Sequence, residues 1–132
     1  MSVPTEAPST VILVDDAEDL RDLVQMTLER DGRYEVVGVA GEGREGVELA
    51  MAHQPDVVLL DISMPLMDGL EALPIIRHVS PSSAVIMFSG FDVTAPKWAS
   101  RLAEAAGYIE KGFTLRDLPG QISEIMKSFH AY

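Results

Sequence analysis

Cysteine is absent from this chain, which removes disulfide frameworks and thiolate metal sites together and suits a reducing compartment. Basic residues are scarce, with 10 Lys and Arg against 21 Asp and Glu and a formal net charge of −11. An acidic surface repels phosphate instead of displacing its counterions, so a nucleic-acid duplex is a poor partner. No apolar run approaches the roughly 20 residues of a membrane span, and the N-terminus lacks the basic region and apolar stretch of a signal peptide. These absences lead us to expect a cytoplasmic protein with neither membrane nor nucleic acid as a direct partner. Residues 1–9, MSVPTEAPS, offer almost nothing apolar to bury and are expected to form a disordered tail. The three histidines, His53, His78 and His130, are scattered without metal-ligand spacing.

What is present has the composition of a folded domain. Hydrophobic residues make up 47% of the chain and charged ones 23%, and the length suits one core, over residues 10–132. Apolar runs alternate with helical patterns. TVILV at 10–14 precedes a helix near 17–31, YEVVGVA at 34–40 a helix near 43–53, and DVVLL at 56–60 a helix near 70–79. AVIMFS at 84–89 is followed by a helix near 95–106, and GYIEK at 107–111 by a last helix near 115–129. The runs are continuous, as parallel strands are when helices cover both faces of a sheet. YEVVGVA and GYIEK are less apolar, which places them at the edges. Leu20, Leu23, Val24 and Leu28 form one helical stripe, Val47, Leu49 and Ala50 a second, and Leu115, Leu118, Ile122, Ile125 and Phe129 a third. Asp16 with Asp19, and Thr114 with Asp117, read as capping pairs. Pro74, Pro96 and Pro119 fall in or near the first turns of predicted helices, where a missing N–H is tolerated only at the very start.

In an open parallel α/β sheet, ligands bind outside the carboxyl ends of the strands. There the first strand ends in Asp15 and Asp16, the third in Asp61, the fourth in Ser89 and the fifth in Lys111. Three acids, a hydroxyl and an ammonium thus converge on one rim. Two like charges roughly 5 Å apart repel by about 3 kcal/mol at an effective dielectric near 20, so a fully ionised site requires compensation. Proton uptake is one solution and a hard divalent cation the other, with an oxygen-only donor set favouring Mg²⁺ over zinc. A cation held by one or two carboxylates keeps open positions for a phosphate, and Lys111 supplies a second positive charge. Singly, each residue has a plainer explanation. Asp15 and Asp16 can cap the first helix, Ser89 can belong to a turn, Lys111 can be a surface lysine and Tyr108 can simply pack. Joint placement on one rim favours the functional explanation. Asp68-Gly69 and Pro65 are assigned to loop shape, and Met64, Met67 and Met87 to packing.

The segments VILVDD, VVLLDISMPLMDG, VIMFSG and GYIEKG together resemble the receiver domain of bacterial two-component response regulators, from Thr10 to about Phe129. The resemblance implies a flavodoxin-like (βα)5 doubly wound sheet with strand order 2-1-3-4-5. It also implies that Asp61 is the phosphoacceptor, attacking the phosphohistidine of a sensor histidine kinase or phosphotransfer protein to give an acyl phosphate. Asp16, helped by Asp15, would hold Mg²⁺ together with Asp61 and the backbone carbonyl of Ser63. Lys111 would pair with the phosphoryl oxygens, Ser89 would hydrogen-bond to the phosphoryl group, and Tyr108 would be the aromatic switch. Such chemistry asks the protein mainly for positioning and charge compensation. Catalysis beyond its own phosphorylation and slow dephosphorylation is not implied. Output would pass to a downstream protein across the face of the fourth predicted helix, the fifth strand and the last helix, with Trp98 as a candidate anchor. We expect a monomer or weak dimer, and a stand-alone receiver or one cut from a longer chain.

Two positions depart from the pattern. Receivers typically follow the fifth-strand lysine with a proline in a cis peptide, and Gly112 stands there instead. Glycine does not favour cis, so a trans bond is expected, and the placing of the Lys111 ammonium is what this puts at stake. The bulky Phe91, two residues beyond Ser89, is expected to shield the acyl phosphate from water and slow its loss. Three other readings compete with this one. A flavodoxin-like cofactor protein needs a Ser-, Thr- and Gly-rich loop after the first strand to cradle phosphate, and DDAED has the wrong charge. A phosphatase with a nucleophilic Asp at that position usually carries a second acid two residues on, where Ala17 stands. A degenerate receiver that binds partners without phosphorylation has only Gly112 in its favour.

Overall fold

Each continuous apolar run becomes a strand because its alternate residues meet a hydrophobic layer on both sides of the sheet. The computed structural model describes residues 7–90, 100–112 and 115–130. Its strands are β1 (Ser9–Val14), β2 (Tyr34–Ala40), β3 (Val57–Leu60), β4 (Ala84–Ser89) and β5 (Gly107–Glu110). The helices are α1 (Glu18–Asp31), α2 (Gly43–His53), α3 (Gly69–Val79) and the C-terminal α4 (Leu118–Phe129), which a 3-10 turn, Leu115–Asp117, leads into. All five strands pair in parallel in the order β2-β1-β3-β4-β5, so the less apolar β2 and β5 are indeed the edges. Ser9, expected in the tail, instead belongs to β1, and its amide donates to the Arg33 carbonyl at 2.9 Å; residues 1–6 lie outside the described residues. Residues 91–99, which include the first part of the helix expected near 95–106 and with it Pro96 and Trp98, and also Phe91, lie outside the described residues; residues 100–104 form turns. Thr114 also lies outside.

Strand alternation divides the interior into two layers. Val11, Leu13, Val57, Leu59, Ile86 and Phe88 face α1 and α4, meeting Val24, Leu28, Leu118 and Ile122. Ile12, Val14, Val58, Leu60, Val85 and Met87 face α2 and α3, meeting Ala50, Leu70, Leu73 and Ile76. Each such side chain contributes roughly 1.5–3 kcal/mol when fully buried, which is why these runs specify strands without polar alternation. Among the described residues no helix is long and apolar enough to cross a membrane.

Two local expectations are corrected. Leu23, placed on the α1 stripe, is 50% exposed, because Val24 and Leu28 already fill the contact with the sheet. Asp16 does not cap α1. The N-cap is Ala17, whose amide donates to Asp15 Oδ1 at 2.9 Å, so the cap-like contact comes from the other acid. Pro74, expected in or near the first turns of its helix, lies inside α3. Its ring sits on the exposed side of the helix, while Leu70, Ala72, Leu73 and Ile76 anchor the opposite side. Pro119 occupies the tolerated first turn of α4.

Candidate functional site

The connection from β1 runs to β2 on one side of the sheet, and the next connection crosses to β3 on the other. That reversal opens a crevice at the carboxyl ends of β1 and β3. Val14 and Leu60 are register partners, so the residues that follow them, Asp15 and Asp61, emerge side by side. The Asp61 amide donates to the Val14 carbonyl at 2.8 Å and the Asp15 amide to the Ala40 carbonyl at 2.9 Å. Both acids are buried, at 5% and 4% exposure, whereas Asp16 stands at the solvent rim. One carboxylate oxygen from each of Asp15, Asp16 and Asp61 lies within 4.8 Å of the others.

Lys111 enters from the end of β5. Its Nζ lies 2.7 Å from Asp15 Oδ2 and 3.3 Å from Asp61 Oδ1, with the side chain 21% exposed. No peptide bond among the described residues is cis, so the ammonium reaches both acids with glycine, not proline, behind it. Ser89 is buried at the end of β4. Its carbonyl accepts from the Lys111 amide at 2.9 Å and from the Tyr108 hydroxyl at 3.1 Å, which binds the tips of β4 and β5 together. Near Asp61, the Ser63 amide donates to Oδ1 at 3.3 Å.

The charges in the pocket do not cancel. Burial first, and then the neighbouring Asp15 carboxylate, push Asp61 up from 3.8 to about 6, against the opposing pull of Lys111 and the Ser63 amide. Asp15 Oδ2 is buried and, among the described residues, has the Lys111 ammonium beside it but no aligned hydrogen bond. An oxygen-only donor set, surplus negative charge and an incompletely satisfied buried oxygen fit a hard divalent cation such as Mg²⁺.

Several residues that shape the pocket carry no chemistry in the sequence motifs. Asp68, assigned above to loop shape, is the N-cap of α3. Its Oδ1 accepts from the Glu71 amide at 2.8 Å while Glu71 accepts from the Asp68 amide at 3.3 Å, a reciprocal box whose D-x-x-E spacing was legible. Gly69 donates to the Ile62 carbonyl at 2.9 Å. A Cβ there would collide with the Asp61 carbonyl oxygen and lie 3.0 Å from Ile62 Cα, so only glycine lets α3 begin this close to the acid. Gly69→Ala is expected to destabilise the protein by about 2–3 kcal/mol, because backbone rather than a movable side chain must give way. Urea denaturation checks this, and a loss of only a few tenths of a kcal/mol would contradict it. Leu66, in the same loop, has φ 67° and is 89% exposed, a left-handed leucine without core packing. Met64 and Met87 are buried and Met67 packs against the core, as expected.

A doubly wound parallel sheet with three carboxylates and a lysine gathered at its switch point defines an α/β protein whose acidic pocket has the composition of a metal site. Comparison with known proteins narrows the class. Residues 11–123 match the response regulator receiver domain family. Protein-glutamate methylesterase/protein-glutamine glutaminase 1 of Paramagnetospirillum magneticum is 36% identical over 99% of this chain and 37% of its own length. Chemotaxis protein CheY of Halobacterium salinarum is 34% identical, covering 88% of this chain and 95% of its own. The solved signal receiver domain of the response regulator NarL from Mycobacterium tuberculosis superposes with a TM-score of 0.83 at 31% identity, covering 92% of this chain and 98% of that one. The chain therefore spans little more than a third of the methylesterase and nearly all of CheY. It belongs to the response regulator receiver domain family.

Proposed function

We propose that this protein is a cytoplasmic signalling switch that accepts a phosphoryl group on Asp61 from a sensor histidine kinase or phosphotransfer protein and signals through protein contacts. The observation that carries the proposal is the meeting of Asp15, Asp16, Asp61 and Lys111 in one pocket at the switch point. An Asp61 oxygen forms the new O–P bond as the P–N bond of the phosphohistidine breaks and the imidazole leaves. Asp15, Asp16, Asp61 and the Ser63 carbonyl would hold Mg²⁺, which supplies neutralisation of the phosphoryl oxygens during transfer. Lys111 exchanges its pairing with the acids for pairing with those oxygens. The Ser89 hydroxyl donates to the bound phosphoryl group, and the Tyr108 hydroxyl, bonded to the carbonyl of the same serine, communicates that change to β5. Phosphorylation shifts the conformational equilibrium only to the extent that the group interacts more favourably with one state. The partner face is the one the family resemblance implies, formed by β5, α4 and the segment preceding β5, with the protein monomeric or weakly dimeric.

The test is intact mass after incubation with Mg²⁺ and acetyl phosphate. Wild type is expected to gain one phosphoryl mass and Asp61→Asn none. Absence of the adduct in wild type at saturating Mg²⁺ would leave a binding module that works without phosphorylation.

A further inference from the structure

Arg21 stands behind the acid pocket and has no part in the roles assigned above. It lies in the first turn of α1, where its amide donates to the Ala17 carbonyl at 2.9 Å. Its guanidinium reaches back, and Nη1 donates to the backbone carbonyl of Asp15 at 2.8 Å. A Cβ added at Gly41 would lie 3.2 Å from that same Nη1, so the guanidinium also packs against the turn that follows β2. Asp15 is thereby held at each polar group. Its amide donates to Ala40, its carbonyl accepts from Arg21, its Oδ1 accepts from the Ala17 amide, and its Oδ2 is left facing Lys111.

The surroundings magnify this contact. Arg21 and Asp15 are the polar members of the lining of a cavity of about 10 Å³, whose remaining walls are apolar, Leu13, Val24 and Phe88 among them. In such surroundings a hydrogen bond is electrostatically stronger and a charge is less screened than in water. The Nε of Arg21 is buried without a hydrogen-bond partner among the described residues. A desolvated donor of this kind is unfavourable by itself, and the hydrogen bond of Nη1 to the Asp15 carbonyl is the contact that holds the guanidinium there.

We infer that Arg21 is a positioning residue for the acid pocket. By clamping the main chain of Asp15 it fixes the direction in which the Asp15 and Asp16 carboxylates are presented. It does so without occupying any of the carboxylate oxygens a cation requires. Lys111 differs in this respect, because its ammonium lies against Asp15 Oδ2 itself. The inference rests on the Mg²⁺ site proposed above, and it predicts the effect of a residue that supports ligands without touching the ion.

The test measures Mg²⁺ affinity by calorimetry on unphosphorylated protein, and amide hydrogen exchange of residues 15–17 without metal. Arg21→Ala is expected to lose about 10–100-fold in Mg²⁺ affinity, the usual range for removing a partner that orients metal ligands, with faster exchange at 15–17. Arg21→Lys, whose ammonium can meet the same carbonyl, should recover most of both. Should the alanine variant fail to fold, Arg21→Gln, which keeps a donor but no charge, is expected to show an intermediate loss. Unchanged Mg²⁺ affinity in a folded Ala or Gln variant, or a Lys variant no better than Ala, overturns the inference. A wild type that binds Mg²⁺ yet takes no phosphoryl group would instead remove the proposed function and leave the role of Arg21 standing.

Discussion

Asp61→Asn is expected to stabilise the metal-free protein near neutral pH, although it removes the proposed phosphoacceptor. Asp61 is held above its ordinary 3.8, at about 6, first by burial and then by Asp15, so the folded state favours the neutral acid. The native protein therefore binds more protons than the unfolded chain between those two values, and its stability falls as pH rises through that window. Below about pH 4 wild type and variant both present a neutral group and should differ little, while above about pH 6 wild type carries the full penalty. A shift of this size corresponds to about 3 kcal/mol at most, and discounted for solvent screening in an open crevice the expected gain is about 1–3 kcal/mol. Denaturant titrations of both proteins across this range provide the measurement. Saturating Mg²⁺ should reverse the ranking, since a ligand that binds only the native state adds stability in proportion to its occupancy. A difference that stays constant from acid to neutral pH would show that ionisation of Asp61 is not its source.

Lys111→Ala should act in two opposite directions. Without the ammonium, the buried carboxylates of Asp15 and Asp61 lose the cation 2.7 Å and 3.3 Å away. Breaking a buried pair on one side leaves an uncompensated charge. Because Lys111 is partly exposed and the acids can take up a proton, a loss of about 1–3 kcal/mol is expected for the metal-free protein near neutral pH. Mg²⁺, in contrast, should bind at least about tenfold more tightly. The variant removes a positive charge whose repulsion at roughly 4 Å is worth about 4 kcal/mol or more at an effective dielectric near 20, and it frees Asp15 Oδ2 for the ion. Phosphoryl uptake from acetyl phosphate should nevertheless fall by about 10²–10³-fold, the usual effect of removing a donor aimed at developing charge. Tighter metal binding with slower transfer is the signature of a lysine that serves the phosphoryl group. Weaker Mg²⁺ binding in the variant would contradict it and make Lys111 a support for the metal site.

Much of this architecture could be read from the chain alone. The strands were legible because runs such as VVLL and AVIMFS are buried on both faces, a local property that needs no knowledge of the neighbours. Membership of the pocket was legible for a related reason. Parallel strands deliver their carboxyl ends to one edge of the sheet, so Asp15, Asp16, Asp61 and Lys111 had to share a rim. The strand order 2-1-3-4-5 followed from family resemblance, since hydrophobic pattern marks edges without ordering the interior. The tertiary structure decided what depends on distances between remote segments. Burial of Asp15 and exposure of Asp16 cannot be read from two adjacent identical residues, because only the approach of β2 and β3 separates them. Gly69 resembled an ordinary loop glycine until α3 was seen to start against the Asp61 carbonyl. Nothing in the sequence pattern singles out Arg21, whose guanidinium closes on the backbone of the acid six positions before it. Composition and periodicity determine which groups reach an edge, whereas the direction each one faces is set by the segments packed around it.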